Sequence, residues 1–146
     1  LRLEKNKSEN LLLNILPRDT VEELKSAGKS DAKNFKEATV LFSDFSGFTA
    51  MTSTMEPQQL VDALDSFFNA FDEIADKYGI EKIKTIGDSY MCAGGLPVPN
   101  STHPEDTITS AFEILNWMEK FNQEQEKKGR SCLQTKLYEN AVVCVW

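Results

Sequence analysis

A predicted hairpin near the middle of the chain constrains the fold more than any other feature of the sequence. Residues 80–86, IEKIKTI, are rich in β-branched side chains and bounded by glycines, as expected of a strand. Gly87-Asp88 then makes a tight turn, and residues 89–93, SYMCA, form the returning strand. The sequence therefore predicts two neighbouring strands that pair through a short connection.

Long amphipathic helices are predicted on both sides of this hairpin. Apolar residues recur at helical spacing over residues 57–78 and again over residues 102–129. The second of these helices opens with a capping-box pattern of Thr102 and Glu105. Before the first helix, residues 38–42, ATVLF, have the length and composition of a buried strand. Strands joined by both a helical crossover and a hairpin predict an α+β sandwich with a mixed or antiparallel sheet.

The N-terminal quarter is predicted to be helical and polar. Residues 1–16 mix charges with leucines and are predicted as a helix, and residues 20–28 are predicted as a second one. The second helix carries a capping-box pattern of Thr20 and Glu23. A polar connector over residues 28–37 follows. Both a surface appendage and an element that couples the rest of the chain to upstream parts fit this pattern.

Composition excludes several classes of protein. The chain has 146 residues, the length of one domain, and a net charge of -7, which argues against a nucleic-acid partner but suits divalent cations. Three cysteines without a CxxC spacing predict neither a disulfide framework nor a zinc site, and favour a reducing compartment. The sequence has no long apolar run. We therefore expect a cytoplasmic location, with any membrane attachment of a longer parent protein made through upstream segments.

Two aspartates lie where predicted strands give way to turns. Asp44 follows the strand over residues 38–42, and Asp88 lies in the hairpin turn. If the first two strands are neighbours, both carboxylates emerge at one edge, where they can hold two divalent ions for phosphoryl or nucleotidyl transfer. The alternative that both are ordinary turn-forming aspartates stays open. Backbone amides that can converge on an anion follow Asp44, in Phe45, Ser46, Gly47, Phe48 and Thr49.

Two motifs carry a family resemblance. FSDFSGFT at 42–49 and KTIGDSYMCAGGLP at 84–97 together closely resemble the class III nucleotidyl cyclases, the adenylate and guanylate cyclase catalytic domains. The resemblance covers roughly residues 10–129. Its lead-in, SENLLLNILP at 8–17, is similar to the segment that joins such domains to upstream regulatory domains of a longer protein. The resemblance implies a ferredoxin-like, palm-type domain that works as a homodimer with active sites at the interface.

The resemblance also implies roles for individual residues. Asp44 and Asp88 match the two metal-binding aspartates, which take Mg²⁺ or Mn²⁺, and Phe45 would add its carbonyl. The backbone of residues 45–49 would hold the phosphates. Lys84 matches a base-recognising position, at which adenylate cyclases resemble this sequence and guanylate cyclases generally carry glutamate. A lysine donates to the acceptor N1 of adenine, while the N–H donors of guanine suit a carboxylate. A solvated strand charge is the alternative for Lys84.

The implied activity is that of an adenylate cyclase in intracellular signal transduction, which converts ATP to cyclic AMP and pyrophosphate. After about Arg130, however, SCLQTKLYENAVVCVW matches none of the parts expected there, among them an Asn and an Arg that stabilise the transition state. We expect an N-terminal helical linker over 1–34, a partial cyclase domain with an incomplete sheet over 35–130, and a divergent tail over 131–146. A guanylate cyclase, and a catalytically incomplete module that dimerises or binds nucleotide, are the alternatives.

Overall fold

The computed structural model describes residues 16–45, 48, 52–53 and 55–128, and the backbone of residues 142–145. The helix predicted over residues 1–16 therefore lies outside the described residues, except for its last position.

The described strands form one antiparallel sheet. In chain order they are β1 (Thr39–Ser43), β2 (Glu81–Ile86), β3 (Ser89–Gly94) and β4 (Val142–Val145). Their spatial order is β2-β3-β1-β4, so β1 lies between β3 and β4. All three neighbouring pairs run antiparallel. The predicted hairpin is confirmed as β2–β3, and the tail, which matches no expected motif, supplies the strand that pairs with β1.

In the described part of the chain three helices accompany the sheet, and the lengths of the last two follow the predicted apolar spacing. They are α1 (Arg18–Ala27), α2 (Pro57–Lys77) and α3 (His103–Lys127). With them the expected α+β class is confirmed. Proline occupies the first turn of both α2 and α3, where its missing N–H costs no hydrogen bond.

Both predicted capping boxes are wrong. α1 begins at Arg18, with Pro17 at its N-cap, so Thr20 lies inside the first turn and caps nothing. At α3, Thr102 is the N-cap residue but makes no side-chain bond to the backbone. Its hydroxyl instead donates to Asp106 Oδ2 at 2.6 Å. The hydroxyl is therefore turned toward a carboxylate one turn into the helix, and it accepts no hydrogen bond from the backbone N–H groups of the first turn.

An aromatic cluster between α2, α3 and the sheet forms the core. Phe67 and Phe71 of α2 are fully buried, as is Tyr90 of β3. Phe67 meets Phe121 of α3 edge-on, with ring centroids 4.9 Å apart, and Phe71 meets Tyr90 at 5.5 Å. Such edge-to-face pairs add to the free energy of burying the rings. The apolar spacing predicted over residues 57–78 thus includes core phenylalanines.

The sheet has two distinct faces, which decide where the candidate site lies. On the helix face, Leu41, Tyr90 and Cys92 are buried in the core with α2 and α3. Because side chains alternate along a strand, the residues between them lie on the opposite face, which we call the far face. Phe42 of β1 and Met91 of β3 are paired there, and Phe42 is 41% exposed.

Among the described residues, no helix is both long and apolar enough to cross a lipid bilayer.

Candidate active site

Asp44 directly follows β1, at the end of a central strand. Ser43, the residue before it, is buried and pairs with Tyr90, so the alternation of side chains carries Asp44 to the far face. One carboxylate oxygen, Oδ1, accepts hydrogen bonds from the Phe45 backbone N–H at 3.1 Å and from Ser89 Oγ at 3.0 Å. Two donors on the same oxygen fix the orientation of the carboxylate.

Asp88 reaches the same end of the sheet from the hairpin turn. Gly87, at φ 62°, takes the left-handed conformation that this two-residue turn needs. Burial raises the pKa of Asp88, its own backbone hydrogen bond lowers it in part, and the neighbouring Asp44 carboxylate raises it further. Asp44 is therefore close enough to disfavour a second negative charge beside it.

The sheet brings the two acids together by a different route from the one the sequence indicated. The expected neighbours were the first two strands, but β3 lies between β1 and β2. Ser43 pairs with Tyr90, so Asp44 is level with Ser89, the first residue after the hairpin turn. The aspartates meet because β1 pairs with the strand that leaves the turn. Register alone therefore places them at one end.

Phe45 joins this site to the core. It is only 5% exposed, and its ring centroid lies 5.2 Å from that of Phe67 and 6.3 Å from that of Phe71. Its carbonyl accepts a long hydrogen bond, 3.4 Å, from the Phe48 N–H. The Phe45 ring thus packs on the helix face of the sheet, whereas Asp44, one residue earlier, lies on the far face. The other predicted phosphate-binding residues, Ser46, Gly47 and Thr49, lie outside the described residues.

Lys84 lies on β2, opposite Met91 of β3. Residues directly opposite each other in an antiparallel pair share a face, so Lys84 is on the far face with Phe42 and the Asp44 end of β1. It is partly exposed and makes no ion pair with another described residue. The predicted base reader therefore shares one face of the sheet with Asp44, one of the two predicted metal ligands.

His103 and Cys92 are both buried in the core. His103 is 3% exposed, and its Nδ1 lies 2.7 Å from the hydroxyl of Thr39, so it ties α3 to β1. Cys92 is fully buried, and burial raises the pKa of its thiol to about 12. A thiol that stays protonated in the core is a packing group and not a nucleophile.

Ser89 is a residue of the candidate site that sequence reasoning missed. It follows Asp88 in the motif GDS, but its contact is with Asp44, from which it is 45 residues away in sequence. Counting register would have found it, once β1 was paired with β3 and not with β2. The signal was therefore in the strand order and not in the motif.

The donor set fits hard divalent cations. Two carboxylates that face each other at a partly exposed edge offer the oxygen ligands that Mg²⁺ and Mn²⁺ prefer. Asp88 is destabilised as an anion by burial and by Asp44, and a cation between the two would offset both effects. Within the described part of the chain, no cluster of three or more acidic, histidine or cysteine residues offers a competing metal site.

Known proteins are similar to this chain in both sequence and fold. A family model described as the adenylate and guanylate cyclase catalytic domain matches residues 30–136. An adenylate cyclase of Mycobacterium tuberculosis is 41% identical over 117 residues, which are 80% of this chain and 26% of that protein. The human guanylate cyclase soluble subunit beta-2 is 40% identical over 112 residues, which are 77% of this chain and 18% of that protein.

A solved structure agrees with the fold. The monomeric guanylyl cyclase domain of the RhoGC fusion protein from the aquatic fungus Blastocladiella emersonii superposes with a TM-score of 0.61 at 26% identity, over 80% of this chain and 61% of that one. The same fungal domain has also been solved as a dimer.

The chain spans about a quarter of the bacterial relative and under a fifth of the human one. The matched range nevertheless contains Asp44, Lys84 and Asp88, together with all of β1, β2, β3, α2 and α3. It begins later than the sequence motifs indicated and runs past Gly129 into the tail. The resemblance found in the two motifs is confirmed: the chain belongs to the adenylate and guanylate cyclase catalytic domain family.

Proposed function

We propose that this chain is catalytic-domain sequence of an adenylate cyclase, which forms cyclic AMP and pyrophosphate from ATP. The observation that carries the proposal is the pair of carboxylates, Asp44 and Asp88, held at one end of the sheet by the β1–β3 register. A turn-forming role alone would not require two aspartates from separate elements to meet.

In this proposal Asp44 and Asp88 would hold two divalent ions, with the Phe45 carbonyl as a further ligand. The bound ions would neutralise phosphate charge and lower the pKa of the attacking ribose hydroxyl. Ser89 and the Phe45 N–H keep the Asp44 carboxylate oriented. The backbone of residues 45–49 holds the phosphates. The ribose 3′ oxygen bonds to the α-phosphorus, the bond from that phosphorus to its bridging oxygen breaks, and the hydroxyl proton passes to water.

Lys84 supports ATP over GTP as the substrate. Its ammonium donates to an acceptor such as adenine N1, and it has no acceptor to offer to the N–H donors of guanine. The two relatives, one named an adenylate and one a guanylate cyclase, are almost equally similar to the chain. The preference therefore depends on this one residue, and guanylate cyclase is the second candidate.

A homodimer accounts for the placement of Lys84. Lys84 and Asp44 share the far face of the sheet, so two copies that approach through this face would each offer acids to one site and a lysine to the other. The similar fungal domain has been solved as a non-canonical dimer, which supports self-association of such a domain and does not specify the face used. A cyclase-like module that dimerises or binds nucleotide without turnover differs from the proposal only in lacking the chemical step.

The test is product formation by the chain and by its longest natural parent protein, with Mn²⁺ and equal ATP and GTP. Mass spectrometry separates cyclic AMP from cyclic GMP. We expect more cyclic AMP than cyclic GMP, and a loss of at least about 100-fold in rate for Asp44→Asn and for Asp88→Asn. Asp65→Asn is the matched control, since Asp65 is an exposed carboxylate of α2.

The outcomes are distinct. Undiminished product from Asp44→Asn refutes the metal assignment. If more cyclic GMP than cyclic AMP forms, the substrate is GTP and not ATP. Binding of Mn²⁺ and ATP without product from either the chain or the parent supports the non-catalytic module instead.

A further inference from the structure

A β-bulge in β2 decides which face of the sheet Lys84 occupies. Lys82 pairs with Cys92 of β3, but the next residue of β3, Met91, pairs with Lys84 and not with the residue between the two lysines. In a regular strand, residues two apart share a face. The extra residue breaks that rule, so Lys82 lies on the helix face and Lys84 on the far face.

The carboxylate of Asp72 accepts hydrogen bonds from the sheet on both sides of this bulge. Asp72 of α2 accepts a hydrogen bond from Lys82 Nζ at 2.6 Å through Oδ2 and one from Tyr90 Oη at 2.9 Å through Oδ1. Lys82 precedes the bulge, and Tyr90 pairs with Thr85, which follows it. Each oxygen of the same side chain therefore fixes one side of the irregularity to α2.

These hydrogen bonds involve charged partners and are partly shielded from water. The side chains of Lys82 and Asp72 are 23% and 34% exposed, and Tyr90 is fully buried. The Tyr90 hydroxyl is the donor in its 2.9 Å hydrogen bond to Asp72 Oδ1. Hydrogen bonds to an ionised carboxylate in such surroundings are roughly twice as strong as neutral ones.

We propose that Asp72, Lys82 and Tyr90 form a positioning clamp that holds the bulge in place and thereby presents Lys84 on the far face for selection of the nucleotide base. The role of Lys84 rests on the proposed function, whereas the link between clamp and bulge does not. Without the clamp, β2 can return to a regular ladder, which would turn Lys84 toward α2.

A structural measurement tests the first half of the proposal. In a Lys84→Cys background, peptide-level mass spectrometry follows alkylation of residue 84 in the full chain. Since a thiol turned toward α2 is less accessible, we expect Asp72→Ala to slow alkylation by about fivefold or more. Lys82→Arg, which keeps the charge and the donors, should leave the rate unchanged. If Asp72→Ala has lost its fold by circular dichroism, Lys82→Met takes its place with the same expectation, because it removes the donor that precedes the bulge.

The chain offers a closely matched control. Glu113 of α3 likewise accepts from a lysine and a tyrosine: Lys77 Nζ at 2.7 Å and Tyr78 Oη at 2.6 Å. This second triad does not involve β2. Glu113→Ala should therefore leave the alkylation rate of residue 84 unchanged. Equal rates in the Asp72 and Glu113 variants would overturn the clamp.

Nucleotide binding tests the second half. With Mn²⁺ and non-reactive ATP and GTP analogues, Asp72→Ala should lower the ATP-to-GTP affinity ratio about as much as Lys84→Ala does. The double variant should be no worse than Lys84→Ala alone, because the clamp acts only through Lys84. Slower alkylation with no change of ratio in either variant refutes the base-reading role and leaves the clamp standing. A changed ratio with unchanged alkylation refutes the clamp and leaves the proposed function standing.

Discussion

Replacing Phe45 by alanine tests whether the aromatic core holds the acidic site in position. The ring is 95% buried and touches the rings of Phe67 and Phe71. Buried phenylalanine-to-alanine changes cost about 3–5 kcal/mol of the free energy of unfolding, and a residue at the end of a strand can partly collapse into the cavity, which favours about 3 kcal/mol. For a chain of this length that corresponds to a fall of about 6–12 °C in Tm.

The functional consequence follows from the position of Phe45 beside Asp44. The substitution removes no carboxylate, yet it releases the backbone that carries both Asp44 and the Phe45 carbonyl. Loss of an outer support of this kind lowers metal affinity by about 10–100-fold. Calorimetric titration with Mn²⁺, at a temperature where circular dichroism shows the variant fully folded, measures this loss directly.

Phe121→Ala is the control for general destabilisation. Its ring belongs to the same cluster, 4.9 Å from that of Phe67, but it lies on α3, away from the acids. We expect a lowered Tm with Mn²⁺ affinity unchanged. Phe45→Leu, which refills much of the cavity, should recover most of the affinity. If Phe45→Ala binds Mn²⁺ as tightly as Phe121→Ala, the ring does not anchor the site, and the reasoning is wrong.

Two further predictions concern the packing of β3 against the core. Gly94→Ala should lower the free energy of unfolding by about 1–3 kcal/mol, because a Cβ there would lie 2.6 Å from the Thr107 hydroxyl. Urea titration measures this loss, and an unchanged midpoint would show that α3 shifts freely. Cys92 has a folded-state pKa of about 12, above its unfolded value, so its stabilising contribution is complete below about pH 8.5 and is lost as pH rises toward 12. The free energy of unfolding of the native chain, compared with that of Cys92→Ala, should fall by up to about 1.4 kcal/mol per pH unit in that window. Parallel profiles of unfolding free energy against pH for the two proteins would contradict this.

Much of the fold was predictable because the periodicity of the sequence is strong. The apolar spacing along α2 and α3 and the glycines around β2 marked those elements to within a few residues. The start of α1 was not predictable from Thr20 and Glu23, because a capping-box pattern has no effect when Pro17 already begins the helix one turn earlier.

The sequence pointed to the two acids of the candidate site, but not to Ser89 or to the strand order that brings the acids together. Asp44 and Asp88 stood out as acids at turns, but the strand order that joins them depends on which faces α2 and α3 bury. The bulge beside Lys84 was hidden for a related reason. It is set by Asp72, a residue of another element, and local sequence around β2 carries no trace of that contact.

The position of β1 between two partners gives the two acids different mobility. Its backbone is bonded on both sides, to β3 and to β4, whereas the turn that carries Asp88 joins β3 to β2, the last strand on that side of the described sheet. Amide hydrogens of β1 should therefore exchange with solvent slowly, and those of the hairpin sooner. The Asp44 carboxylate is therefore held more rigidly than the Asp88 carboxylate. The conformational entropy that the Asp88 turn loses on binding sets much of the free-energy cost of holding an ion between the two acids.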